Sequence, residues 1–159
     1  MRANMKHGGT NATTTVLDAN ESASLLFMIE EEKMARDVYD ALFEQTGLAV
    51  FDNISNSEQK HFDALLNTAA KLGVDTSFVS NEVGVFENAE ISNLYTELLE
   101  QGSASHTAAL EVGALIEKVD IADLNDAIAT TDIALLGQAY QRLLSGSENH
   151  LNAFEYYIA

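Results

Sequence analysis

The run at residues 30–39, EEEKMARDVY, sets a condition that few folds can meet. Counted in helical steps, Leu25, Met28, Ile29, Glu32, Ala35, Arg36, Tyr39, Leu42 and Phe43 fall on one stripe, so a carboxylate interrupts the apolar face of a long helix. A core-facing carboxylate is costly unless it is paired or bound to a metal. Three later stretches repeat the oddity, and the four are expected to meet. The chain contains no proline, and its Ala, Leu and Glu content favours long uninterrupted helices.

Capping and stop signals divide the chain. Residues 1–17, MRANMKHGGTNATTTVL, have no helical period and read as a flexible N-terminal tail that includes His7. Asp18 and Glu21 have capping-box spacing, which predicts a first helix from about Glu21 to Gln45, stopped near Gly47. Residues 48–54 read as a short apolar connection, with Ser55, Asn56 or Ser57 capping a second helix that ends at Gly73. Residues 74–90 are long for a helix-to-helix link and predict a crossover between bundle ends, followed by a short helix over 91–101. A third long helix begins after Ser103. A fourth runs from Asp132 to about Tyr157 behind a cap at Thr130 or Thr131. Residues 18–159 are therefore expected to form one all-α, antiparallel four-helix bundle domain, with a long crossover between the second and third bundle helices.

With 25 acidic against 8 basic side chains, the formal net charge is −17. Such a surface repels nucleic acid and anionic membranes, and neither is expected as a partner. There is no cysteine, which excludes disulfides, thiolate metal sites, iron–sulfur clusters and Cys nucleophiles. Carboxylate and imidazole remain as the strong metal ligands. No stretch approaches the ~20 apolar residues of a membrane-spanning helix. Residues 1–15 lack the apolar centre of an intact signal peptide, so a soluble protein of either the cytoplasm or the periplasm and exterior is expected.

The second helix places Glu58 and His61 three residues apart, on the side of Phe62, Leu65, Leu66 and Ala69. A Glu-x-x-His pair on an inward face is the unit from which di-iron carboxylate bundles are built. On the third helix Glu117 and Asp120 stand where Leu or Val would be expected, in a stripe with Leu110, Ala114 and Leu124. Glu111 lies on a flank and reads as solvent-facing. On the fourth helix His150 points inward with Ser147, while Glu148 is turned about 100° away. Glu32, Glu58, His61, Glu117, Asp120 and His150 thus give four carboxylates and two imidazoles, the hard donor set for two divalent first-row metals, iron first and manganese second. Without metal, four clustered carboxylates cannot all stay ionised. The competing reading is that protonated acids, Arg36 and lysines satisfy one another.

With these residues in place the sequence resembles the ferritin-like superfamily, and its motif spacing looks most like rubrerythrin. Rubrerythrin-type chains follow a helix 1 Glu with Ala, Arg and Tyr, as Glu32 is followed by Ala35, Arg36 and Tyr39; this favours Glu32 over Glu30 and Glu31. Their Glu-x-x-His of helix 2 is matched by Glu58 and His61, and their Glu-x-x-Glu of helix 3 is approached by Glu117 and Asp120. Of the Glu-x-x-His of helix 4 only His150 is present, with Ser147 at the acidic position. The wording EEKMARDVY, SEQKH, VGALIEKVDIADL and GSENHLNAF also resembles a prokaryotic ferritin-like family known as a domain of unknown function, over about residues 20–158.

The resemblance implies a non-haem dimetal oxidase or peroxidase that takes dioxygen or peroxide as a small-molecule oxidant. Glu32, Glu58, Glu117 and Asp120 would hold and bridge the metals, with His61 and His150 terminal. Tyr39 would be a hydrogen-bond donor behind the ligands or an electron source. Lys33 and Asp37 read as surface residues. No cysteine-ligated electron-transfer domain is present, so the electron donor would be external. The alternatives are metal binding or iron handling without turnover, and a structural bundle whose site has decayed at Ser147. Helical bundles of this size often pair, and residues 74–102 would supply the contact of a homodimer.

Overall fold

The structure, a computed structural model, describes residues 16–159. Most of the expected tail, with His7, lies outside the described residues. Asp18 starts α1 (Ala19–Thr46) with the capping box that its spacing predicts: its carboxylate accepts the N–H groups of Asn20 and Glu21 at 2.8 Å, and Glu21 accepts the N–H of Asp18 at 3.1 Å. Gly47 ends α1 at φ 67°, a left-handed conformation that a side chain would strain.

α2 (Ala49–Leu72) follows after the extended Leu48, so residues 49–54 are helix and not a connection. Val50, Phe51 and Ile54 are buried one helical turn ahead of Ser55 and Glu58, and this apolar period extends the helix past the serines. The serines find other partners: Ser55 donates to Asp40, and Ser57 meets His150. α3 (Ala89–Gly102) is capped by Asn88 and α4 (His106–Thr130) by Ser105. α5 (Ala134–Ile158) begins after Ile133, two residues later than expected and without a side-chain cap. Thr131 instead accepts the N–H of Ile133 at 3.1 Å and donates to Glu21 at 2.8 Å, tying the α4–α5 turn to the start of α1.

The described residues form five helices and no strand. α1 packs on α2 and α4 on α5; contacts of α1 with α4 and of α2 with α5 close the group, and α3 lies against α1 and α4. The apolar core falls into two clusters. One gathers Val38, Tyr39, Leu42, Phe51, Ile116 and Phe154; the other gathers Leu25, Ile29, Phe62, Leu65, Leu124 and Leu143. On every one of α1, α2, α4 and α5, the inward polar residues of the sequence stand between these clusters. Among the described residues no helix is long and apolar enough to cross a membrane.

α1 is buried on every side from Met28 to Tyr39, because α3 and the crossover cover the face that would otherwise meet water. Lys33 and Asp37, expected at the surface, are therefore fully buried. Asp37 accepts from Lys33 at 2.7 Å, from Arg36 at 2.9 and 2.7 Å, and from the backbone N–H of Gly84 at 3.0 Å. Lys33 also donates to the Glu82 carbonyl at 2.7 Å and lies over the Phe86 ring. Arg36 reaches Asn81 at 2.8 Å and Gln59. Glu30 accepts the N–H groups of Glu87 and Asn88 at 2.7 Å each. The charged run on α1 thus clamps the crossover in place.

Candidate metal centre

The polar layer between the apolar clusters is built around Glu58. Its Oε2 lies 2.8 Å from His61 Nδ1, and its Oε1 lies 2.7 Å from His150 Nδ1. His61 Nδ1 also approaches Glu32 at 3.1 Å, and His150 Nδ1 approaches Glu117 at 3.5 Å. Two groups that could hold a metal ion result, Glu32–Glu58–His61 and Glu58–Glu117–His150, with the donor atoms of each within 4.8 Å of one another. Glu58 belongs to both. The two imidazoles stack with centroids 5.4 Å apart.

The arrangement depends on the packing of α5 against α2. Gly146 leaves room for His61: a Cβ there would stand 2.6 Å from the ring Nε2, so only a residue without a side chain admits the imidazole in this pose. His150 is fixed on its far side, where Nε2 lies 3.0 Å from Ser57 Oγ. An outer hydrogen bond of this kind orients an imidazole whose inner nitrogen serves as a ligand. Tyr39, fully buried beside Phe51 and Phe154, donates its hydroxyl to Glu117 at 2.7 Å.

Five of the six residues singled out in the sequence enter the two groups; Asp120 does not. It lines the same small internal space as Glu31, Glu32, Glu58 and Glu117, and it lies beside Ser147. Ser147 itself donates to the Leu143 carbonyl at 3.1 Å. Glu111 and Glu148 are exposed, as their flank positions predict. Glu31, Ser57 and Gly146 complete the surroundings and escape a stripe count. Glu31 sits off the stripe, and the signal at Gly146 is only a pair of small residues before the inward His.

Electrostatics set these groups apart from ordinary ion pairs. Burial, together with Asp120 and Glu58, holds the Glu32 carboxyl well above its usual range. Burial and the Glu58 charge push Glu117 up to about 8. Asp120 is pushed up to about 7 by burial, against the opposing hydrogen bond from Ser147. Burial acts the same way on Glu58, but the imidazoles of His150 and His61, at 2.7 and 2.8 Å, outweigh it and hold this carboxyl below its usual range. His150 is raised to about 10: burial disfavours its charge, and Glu117 and Glu58 more than reverse that. Burial thus favours the neutral form of Glu32, Glu117 and Asp120, while the two imidazoles favour the ionised form of Glu58.

Glu32 Oε1, Glu58 Oε2, Asp120 Oδ1 and His150 Nδ1 are buried without a hydrogen-bond partner. The short approaches of the imidazoles to Glu58 at Oε2 and from His150 Nδ1 have ion-pair distance but not hydrogen-bond direction. Buried polar atoms are rarely left so. Oxygen and imidazole donors converging with free lone pairs fit a divalent ion.

Comparison with known proteins gives the chain its relatives. It is 41% identical, over 138 residues, to the uncharacterized protein MJ0754 of Methanocaldococcus jannaschii, a match that covers 87% of this chain and 75% of that protein. The crystal structure of the hypothetical protein MJ0754 superposes with a TM-score of 0.88 at 40% identity, covering 91% of this chain and 82% of that one. Residues 21–159, nearly all of the described helices, match the family described as "Uncharacterized protein domain (DUF2202)", and the chain belongs to that family.

Proposed function

We propose that the protein is a ferritin-like dimetal carboxylate protein, with iron as its favoured metal and manganese second, and that it reacts with dioxygen or peroxide as an oxidoreductase. The carrying observation is the pair of Glu/His groups that share Glu58, set between two apolar clusters with donor atoms left unpartnered. The order of the helices supports the ferritin-like arrangement. α1 and α5 pass from the Leu25 cluster to the Phe154 cluster, whereas α2 and α4 pass the other way, so packed neighbours run antiparallel and the 74–88 segment makes the crossover.

Glu32 and His61 would hold one ion and Glu117 and His150 the other, with Glu58 between them. Two ions so placed would supply one-electron redox chemistry towards an oxidant. Tyr39 keeps Glu117 oriented, and the apolar clusters exclude water above and below. Asp120 and Ser147 face each other where the rubrerythrin pattern has two acids. The serine at the acidic position also favours a second reading, metal binding without turnover, because the layer has one carboxylate fewer than the pattern.

Metal content of protein purified without chelator, followed by anaerobic titration of apoprotein with ferrous ion, tests both. Two ions per chain, with an absorbance that changes on admitting oxygen, is the expected result. Tight binding with no response to oxygen or peroxide selects the second reading. No binding at micromolar iron means that the layer is structural.

A further inference from the structure

Glu31, like Asp120, is a carboxylate of the polar layer that neither metal group uses. It lines the internal space with Glu32, Glu58, Glu117 and Asp120, and it also lines the outer groove with Met34, Leu94 and Leu115. It thus stands in the wall between the centre and the surface. It is 3% exposed, and its Oε2 has no hydrogen-bond partner. The nearest cations in sequence, Lys33 and Arg36, are both engaged by Asp37. The residue facing Glu31 is another acid, Asp123 of α4, within hydrogen-bond reach and partly exposed. Outside Asp123 lie Asp126 and Glu90, the latter in the first turn of α3.

Two facing carboxylates with no base between them must share either a proton or a cation. The route they mark runs from the surface at Glu90 and Asp126, through Asp123 and Glu31, to Asp120 and the two groups that share Glu58. We propose that Glu31 and Asp123 form an outer carboxylate station that takes a divalent cation from solvent and passes it to the centre. The ion exchanges water for carboxylate oxygen at each step, and no bond other than coordination is made or broken. The proposal rests on the metal reading above and adds the way in.

The test is the rate of loading. Apoprotein mixed anaerobically with ferrous ion is quenched at intervals with a ferrous chelator, and the protected iron is counted, for the wild type, Glu31→Gln and Asp123→Asn. Glu31→Gln should load slower by about tenfold or more, and Asp123→Asn, nearer the surface, by a few-fold. The final number of ions should be unchanged, and release to excess chelator should slow in step. Wild-type loading rates in both variants overturn the proposal. So does loss of one bound ion in Glu31→Gln, which would make Glu31 a ligand of the centre. Should Glu31→Gln fail to fold, the Asp123→Asn rate decides alone. A wild type that binds no iron overturns the metal reading itself, a different result from a wild type that binds and variants that load normally.

Discussion

α1 carries two buried polar regions side by side, and they are built on opposite plans. On one flank Glu30, Lys33, Arg36 and Asp37 balance two anions against two cations, and each has a partner at hydrogen-bond distance on the crossover or on its neighbour. On the other, Glu31 and Glu32 join Glu58, Glu117 and Asp120 against two imidazoles, and five of the buried polar atoms in that layer have no partner. Both are equally withdrawn from water. Burial of charge therefore does not distinguish a strut from a site; the balance of donors and acceptors does.

The sharpest way to break this contrast is to damage the satisfied flank. In Asp37→Ala, Lys33 and Arg36 stay buried without their shared anion, and such a loss costs about 3–5 kcal/mol. The expected outcome is a marked fall in the urea midpoint of the apoprotein. Glu117→Gln, in the unsatisfied layer, imitates a carboxyl that already holds its proton at neutral pH and should cost under ~1 kcal/mol while weakening metal binding. Similar costs in the two variants would erase the distinction.

A second effect separates the regions by pH. Glu117 and Asp120 titrate at about 8 and about 7 in the folded apoprotein, against ordinary values of 4.5 and 3.8. Between those values the folded state holds more protons than the unfolded chain, so stability falls as pH rises. Their contribution is complete below the ordinary values and is lost through pH 7 to 8. His150, raised from 6.5 to about 10, adds a loss of the same sign further up. Glu58 runs the other way: its carboxyl is held low, so its contribution is present above 4.5 and lost only on acidification. From about pH 5.5 to about pH 8 the apoprotein should lose on the order of a few kcal/mol, read as a falling denaturation midpoint. Metal should cancel the trend by replacing the protons, with affinity rising over the same range. A midpoint that climbs with pH would mean ionised, paired carboxylates.

The same contrast explains what could be read in the sequence. Helix existence, the capping box at Asp18 and Glu21, the stops at Gly47 and Gly73, and the inward positions of Glu32, Glu58, His61, Glu117 and His150 follow from period and spacing alone. Lys33 and Asp37 were misplaced because a stripe count assigns one wet face to every helix. α1 has none, and nothing local announces that α3 and the crossover will cover it. Ser55 and Ser57 look like caps by composition, but the apolar set Val50, Phe51 and Ile54 overrides them. Glu31 was invisible for the same reason as Lys33. Asp120 is buried in the layer as its spacing predicts but enters neither donor group, because helical spacing fixes direction and not reach.

Reach is also what Gly146 controls, and it gives the third prediction. Gly146→Ala puts a methyl group against His61 and must displace the ring from Glu32 and Glu58. The fold should survive, since the helix gains propensity. Affinity of the Glu32–Glu58–His61 group for ferrous ion should fall by about 10- to 100-fold, with the other group nearly unaffected. Equal weakening of both groups would mean that Glu58, and not His61, takes up the displacement.

The smallest effect sits at the boundary of layer and core, at Tyr39. Its hydroxyl donates to Glu117, which in the apoprotein is a neutral carboxyl at neutral pH and in the loaded protein would be a ligating carboxylate. Hydrogen bonds to neutral groups contribute about 1 kcal/mol, and those to charged groups about 1.5–3 kcal/mol. Tyr39→Phe should therefore destabilise apoprotein by about 1 kcal/mol and the manganous-loaded protein by more, a difference that appears as weaker manganese binding with the number of ions unchanged. Packing against Phe51 and Phe154 is retained in both states, so it drops out of the comparison. Equal costs with and without metal would place Tyr39 wholly in the apolar cluster and leave Glu117 to be oriented by His150 alone.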